Sequence, residues 1–296
     1  MLYFIQAKLI VIYSVLCSLF AGFFVMAFSV LARRAVLAGS VALASVLAGP
    51  VALAAPQVLR VGIMAGEDED VWPVVAANAA REGLELRLVT FSDYNAPNEA
   101  LAEHELDANA FQHGPFLDAQ NKAKGYGIVP VGHTYVAPIG LYSTRWKSVA
   151  ALPDKAVIGV PNDPTNEGRA LLLLQKLGLI KLAADAGNTP TALDITENPH
   201  NISIRELDAG VVGRALTDLD GAVINTDWAK KVGVDIEKTR IAQETAENNP
   251  YICIIAVNGA DKSAPWVPKL VSAYQQPNVR QALDKAFHGA VLPSWP

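Results

Sequence analysis

The sequence predicts an α/β fold arranged in two lobes. Strand-like and helix-like segments alternate along the chain from residue 57, the pattern that lays helices against a largely parallel sheet. The 296 residues less an expected 54-residue leader leave a body of 242, large for one compact sheet and suited to two lobes. No low-complexity linker divides that body, so strand-like connections themselves are expected to pass from lobe to lobe. The expected division is residues 55–143 with 248–296 in lobe I and 144–247 in lobe II.

The body opens as β-α-β: a strand at 58–64, a helix at 71–82, then Leu84, Leu86 and Leu88 at the two-residue period of a strand. A second helix is expected near Asn98 after Pro97, and a third after Gly114-Pro115, stopping at Gly125 and Gly127. One strand-like run then covers 128–142. The middle repeats the alternation, with a strand at 156–160, a helix at 164–177, and strands near 202–207 and at 221–224. The chain ends on a strand at 251–257 and helices at 265–274 and 277–288.

Ahead of the body lie two uncharged apolar stretches, residues 9–32 and 35–59, separated by Arg33-Arg34. The second reads as a secretory signal: a basic start, an Ala/Val/Leu run, and Ala52-Leu53-Ala54 as a small-x-small site with cleavage after Ala54. The first reads either as a membrane-crossing segment or as sequence upstream of a true start at Met26; the Met26 start gives ordinary signal proportions and is preferred. Either way the body is exported to the periplasm, with membrane association through 9–32 if translation begins at Met1. A lipid anchor needs a cysteine behind a short Leu-x-small box. Cys17 follows Ser14-Val15-Leu16, and the cleavage region has no cysteine, so no anchor is expected.

Net charge and motifs narrow the function classes. Residues 1–54 carry three basic residues and no acid, so the body holds 21 basic against 29 acidic residues. An acidic body argues against a nucleic-acid protein, which needs a basic face. Two cysteines build neither a disulfide framework nor a cysteine metal site. Five scattered histidines show no ligand pair at three or four residues, so no metal and no cofactor is expected. Phosphate-loop, Gly-x-Ser-x-Gly and His-Glu-x-x-His motifs are absent, which weakens an enzyme reading.

Three features stand out instead. The string Val160-Pro161-Asn162-Asp163-Pro164-Thr165-Asn166-Glu167-Gly168-Arg169 is a well-formed helix start, with Asp163 as N-cap and Pro164 at the first helical position. Asn166 and Arg169, three apart, share a face, and the arginine either takes a carboxylate in a two-pronged grip or makes a surface ion pair. The second feature is Tyr94 with Asp107-Ala108-Asn109-Ala110-Phe111-Gln112-His113-Gly114-Pro115-Phe116. Its rings form either a slot for a small apolar side chain or ordinary core. The third is Asn225 at the end of Ala222-Val223-Ile224, a crevice residue or a turn residue.

These segments resemble the methionine-binding proteins of bacterial methionine ABC importers, the MetQ/NlpA type. Matching stretches are Thr90-Phe91-Ser92-Asp93-Tyr94, Pro97-Asn98-Glu99-Ala100-Leu101, 107–113, 161–169, 171–182, Glu197-Asn198-Pro199 and 222–226, spread over about residues 57–290. The resemblance implies a two-lobe periplasmic binding protein of type II, not an enzyme, closing on methionine in the interlobe cleft. It implies that Arg169 with Asn166 holds the ligand carboxylate and that Asn225 binds the amino-acid end. Tyr94, Phe111, His113 and Phe116 would surround the thioether. It further implies a monomer that delivers its ligand to an importer permease and its ATPase subunit. The family often has tyrosine at Phe116 and is usually lipid-anchored, and this chain departs from it at both points. Rival readings are the same fold with another amino acid or a short peptide, and an enzyme on a two-lobe scaffold.

Overall fold

The computed structural model of the chain describes residues 55–295. The expected signal sequence, its cleavage after Ala54 and the apolar segment 9–32 fall outside the described residues. Among those residues, no helix is long and apolar enough to cross a membrane.

In chain order the elements are β1 (Gln57–Met64), α1 (Asp68–Arg81), β2 (Leu84–Phe91), α2 (Ala96–Ala102), β3 (Ala108–Ala110), α3 (Gly114–Lys124), β4 (Ile128–Val136) and β5 (Gly140–Tyr142). There follow β6 (Val157–Pro161), α4 (Pro164–Lys176), β7 (Lys181–Leu182), β8 (Ile195–Glu197), β9 (Ser203–Leu207), α5 (Ala209–Val212), β10 (Gly221–Ile224) and α6 (Thr226–Lys231). The chain closes with α7 (Ile236–Thr239), β11 (Arg240–Gln243), β12 (Ile252–Asn258), α8 (Trp266–Tyr274), α9 (Pro277–Phe287) and β13 (Leu292–Pro293).

Two mixed sheets organise the body. The first has six strands in the order β13-β4-β12-β3-β1-β2, and the second has five, β11-β5-β10-β6-β9. Strand alternation sorts the apolar side chains of the first sheet between two cores. Ile255 and Val257 of β12 pack with Trp72, Leu270, Tyr274 and Phe287 of α1, α8 and α9, while Ile254 and Ala256 face Leu101 of α2 and Leu117 of α3. The second sheet repeats this: Val223 of β10 packs with Leu171 and Leu174 of α4, and Ala222 and Ile224 pack with Val212 of α5 and Trp228 of α6. That last cluster also takes in Met64, Phe111 and Phe116 from the first sheet's side. An apolar seam therefore joins the halves.

Two expectations are corrected. The run 128–142 is two strands, β4 and β5, and β5 pairs with β10 and β11 in the second sheet. The first connection is thus residues 137–139, ahead of the 143/144 boundary. The apolar run continues through the crossing because Ile139 is buried in the second core, so hydrophobicity alone does not mark it. Pro138 at its centre gives no N–H to a ladder, and its carbonyl accepts from Thr226 Oγ1 at 2.6 Å. Helix α1 starts at Asp68 rather than 71, because Glu69 and Asp70 in its first turn suit the positive end of the helix dipole.

Candidate functional site

The residues singled out in the sequence sit just beyond the carboxyl ends of strands or in the first turns of the helices that follow them, where crevices open in α/β sheets. Tyr94 follows β2. Phe111 and His113 follow β3, and Phe116 lies in the first turn of α3. Asn166 and Arg169 stand in the first two turns of α4, and Asn225 occupies the N-cap position of α6 after β10 without a side-chain cap bond. All seven line one cavity. It holds about 450 Å³ of atom-free space, part of it open to solvent. The space is narrow, and groups from both halves close it.

Local chemistry places each side chain. The Asp163 carboxylate accepts from the Asn166 N–H at 3.0 Å and from Asn166 Nδ2 at 2.9 Å, so the helix cap also orients the asparagine. Gly168 lets α4 lie against the next loop, since a Cβ there would stand 2.7 Å from Thr189 Cα. The segment before His113 is held by buried amides: Asn98 and Gln112 exchange side-chain bonds of 2.8 and 2.7 Å, and Asn109 Nδ2 donates to Asn98 Oδ1 at 3.0 Å. His113 caps α3, its Nδ1 accepting from the Phe116 N–H at 3.1 Å. Its proton is therefore on Nε2, which donates across the cleft to Asn166 Oδ1 at 3.2 Å. Burial and the Arg169 charge push the imidazole pKa down to about 3, so the ring stays neutral.

Arg169 is 3% exposed and fully engaged on one edge. Nε donates to both Glu244 oxygens at 3.0 and 3.1 Å, and Nη2 donates to Glu244 Oε1 and to the Ala137 carbonyl at 2.8 Å. The guanidinium lies 4.2 Å from the centre of the Tyr251 ring. Nη1 has no partner among the described residues, so an outer edge of the fork is left for a ligand. Arg169 thus makes an ion pair, but a buried one rather than one at the surface. Asn225 Nδ2 donates to Asn166 Oδ1 at 3.0 Å, while its buried Oδ1 has no partner.

The aromatic wall is both cavity and core. Tyr94 meets Phe111, Phe116 and Trp228 with ring centres 5.8–6.0 Å apart, and Phe111 and Phe116 belong to the apolar seam. Tyr94 OH donates to Asp227 Oδ2 at 2.6 Å. Burial raises the Asp227 carboxyl above the ordinary carboxylate range. Behind it, burial and the Asp227 charge push Asp68 up to about 8. Cys253 also lines the space, and burial pushes its thiol up to about 12. Glu244, Asp227, Trp228 and Tyr251 escaped the sequence reading. Asp227 alone carried a signal there, as an acid two residues beyond the strand-end Asn225. Among the described residues, no group of three or more His, Cys, Asp or Glu could hold a metal ion.

Comparison with known proteins places this geometry. The family model described as NlpA lipoprotein matches residues 59–295. The D-methionine-binding lipoprotein MetQ of Salmonella typhimurium is 44% identical over 272 residues, 90% of this chain and 98% of the relative. Its Escherichia coli counterpart is 46% identical over 244 residues, 81% of this chain and 89% of the relative. The solved structure of a nutrient-binding protein from Burkholderia cenocepacia bound to methionine is 49% identical and superposes with a TM-score of 0.78, covering 80% of this chain and all of that one. The chain belongs to the NlpA lipoprotein family and has the two-lobe fold of its substrate-binding proteins.

Proposed function

We propose that this chain is the substrate-binding component of a bacterial ABC importer and closes on methionine in the cavity between its sheets. The observation that carries the reading is a buried arginine with one unpartnered edge in a narrow space otherwise walled by Tyr94, Phe111 and Phe116. Arg169, steadied beside Asn166, takes the carboxylate; the rings take the thioether, whose sulfur packs well on aromatic edges. Asn225 Oδ1 accepts from the amino-acid end. His113 acts by bonding Asn166 across the cleft. A ligand that touches both lobes binds the closed form better than the open one and shifts the population toward it. The relatives named D-methionine-binding and the methionine-bound structure support this assignment.

The same reading makes the closed form the one that docks on the permease, with the ATPase subunit driving release, and makes the protein a monomer in the periplasm. It performs no chemistry on its ligand. The test is thermal unfolding of the purified protein, stripped of carried ligand by denaturation and refolding, with L-methionine, D-methionine and the other common amino acids. Mass action raises the midpoint only for a ligand of the native state. A rise confined to methionine is expected. A rise with a different amino acid moves the substrate, and no rise with any overturns the reading.

A further inference from the structure

One carboxylate of the cavity has no cation among the described residues in direct contact, and that missing contact specifies part of the ligand. Its lining holds two formally charged side chains, Arg169 and Asp227. Arg169 is already paired with Glu244. Asp227 has only the Tyr94 hydroxyl as a side-chain partner, and no lysine, arginine or histidine nitrogen lies within 4.0 Å of it among the described residues. Lys231, one helical turn on, leaves its Nζ without a hydrogen-bond partner, 4.4 Å from the centre of the Trp228 ring. His113 is neutral. Lys231 acts on Asp227 only through space, so the carboxylate that lines the cavity has a distant counter-charge but no cation in direct contact. Two residues before Asp227, on the same strand-to-helix corner, Asn225 Oδ1 is a buried acceptor with no donor. A carboxylate and an orphaned carbonyl oxygen entering one space ask for a group with several N–H donors and a positive charge.

We propose that Asp227 is the specificity-determining residue for the α-ammonium group, which it binds together with Asn225 Oδ1 while Arg169 takes the carboxylate. This rests on the methionine reading and deepens it: the site demands the whole zwitterion and rejects acids of the same shape that lack the amine. Burial is what makes the demand strong, since the desolvated carboxylate recovers in the ammonium what it lost in water. A site built to pair with an N–H group discriminates strongly against a ligand without one.

The test is the ratio of affinities for methionine and 4-(methylthio)butanoate, the same molecule without its amine, measured by calorimetry on the wild-type protein and variants. Wild type is expected to prefer methionine by about a hundredfold or more. Asp227→Asn keeps an acceptor for Tyr94 and should shrink that preference at least about tenfold, through weaker methionine binding. Asp227→Ser should do the same should the asparagine variant fail to fold, and Asp227→Glu, which keeps the charge, should retain most of the preference. Tyr94→Phe, which cuts the contact without touching the charge, should weaken both ligands alike. A preference unchanged in Asp227→Asn or Asp227→Ser, or both ligands weakened equally, overturns the role of Asp227 while leaving methionine binding intact. A wild-type protein that binds neither ligand overturns the methionine reading and this inference with it.

Discussion

Replacing Arg169 by alanine tests the site and the scaffold at once, because the side chain serves both. On the ligand side it leaves a desolvated carboxylate without its partner, a loss of roughly 2–5 kcal/mol, or about 30-fold to a few thousand-fold in Kd. On the scaffold side it strands Glu244, whose side chain is 13% exposed. That carboxylate keeps the Ile139 N–H at 3.0 Å and Asn249 Nδ2 at 2.9 Å, so the cost sits at the low end for a broken buried pair, about 3 kcal/mol. For a body of this size that lowers Tm by roughly 6–12 °C. Calorimetry with methionine reads the first quantity and the ligand-free thermal midpoint reads the second. Arg169→Lys separates them further: it keeps the charge beside Glu244 but loses the fork, so Tm should recover more than affinity does. The reasoning fails if Arg169→Ala lowers Tm as expected yet binds methionine within about threefold of wild type, for Arg169 would then be only the counter-ion of Glu244.

Two further outcomes follow from buried titrating groups. Asp68 is 5% exposed with Oδ1 unpartnered, and its raised pKa of about 8 means the native state holds a proton that the unfolded chain has released. The stability it contributes is present below pH 4 and drains away as pH rises toward 8. Between pH 5 and 8 the loss is up to about 4 kcal/mol, so the Tm difference between Asp68→Asn and wild type should widen in the variant's favour across that range; a constant difference refutes it. Cys253, buried with its thiol near 12, exposes almost no thiolate at neutral pH. Alkylation at its peptide, followed by mass spectrometry, should run about a thousandfold slower than in the denatured chain, and comparable rates in the two states would refute its burial.

What was legible in the sequence is what local rules write. Asp163-Pro164 announces a helix start without any tertiary help, and Gly125, at φ 71°, ends α3 in the left-handed turn expected of a C-terminal glycine. Leu84, Leu86 and Leu88 show the two-residue period because the edge strand β2 buries one face, whereas β6 and β10 read as unbroken apolar runs because both their faces are buried. The seven candidate residues reached one cavity because strand ends and helix starts are where the chain can offer side chains to a cleft. What stayed hidden depends on contacts far apart in sequence. Glu244 stands 75 residues from Arg169 in a segment with no periodic pattern, and nothing local marks it as the arginine's partner. The β4–β5 crossing was unreadable for the opposite reason: both sides of it are equally apolar, because each enters a core.

The position of Glu244 also explains how one site can serve an open and a closed form. The halves are joined by residues 137–139 and by the return between β11 and β12. Glu244 lies on the return and accepts the N–H of Ile139 on the first connection, while Arg169 donates to Ala137 O of that same connection. Arg169, the proposed carboxylate partner, is therefore bolted to the connections themselves, about which any opening must turn, and points near an axis move least. Tyr94–Asp227 and His113–Asn166 are different. Each joins a residue of the first half to one of the second across the cleft, so a rotation that parts the halves must break both. On the proposed reading the arginine receives a carboxylate before closure, and the cross-cleft bonds form only with it. A ligand without a carboxylate loses its first foothold, whereas one without a side chain to span the aromatic wall gives the second half little to close upon.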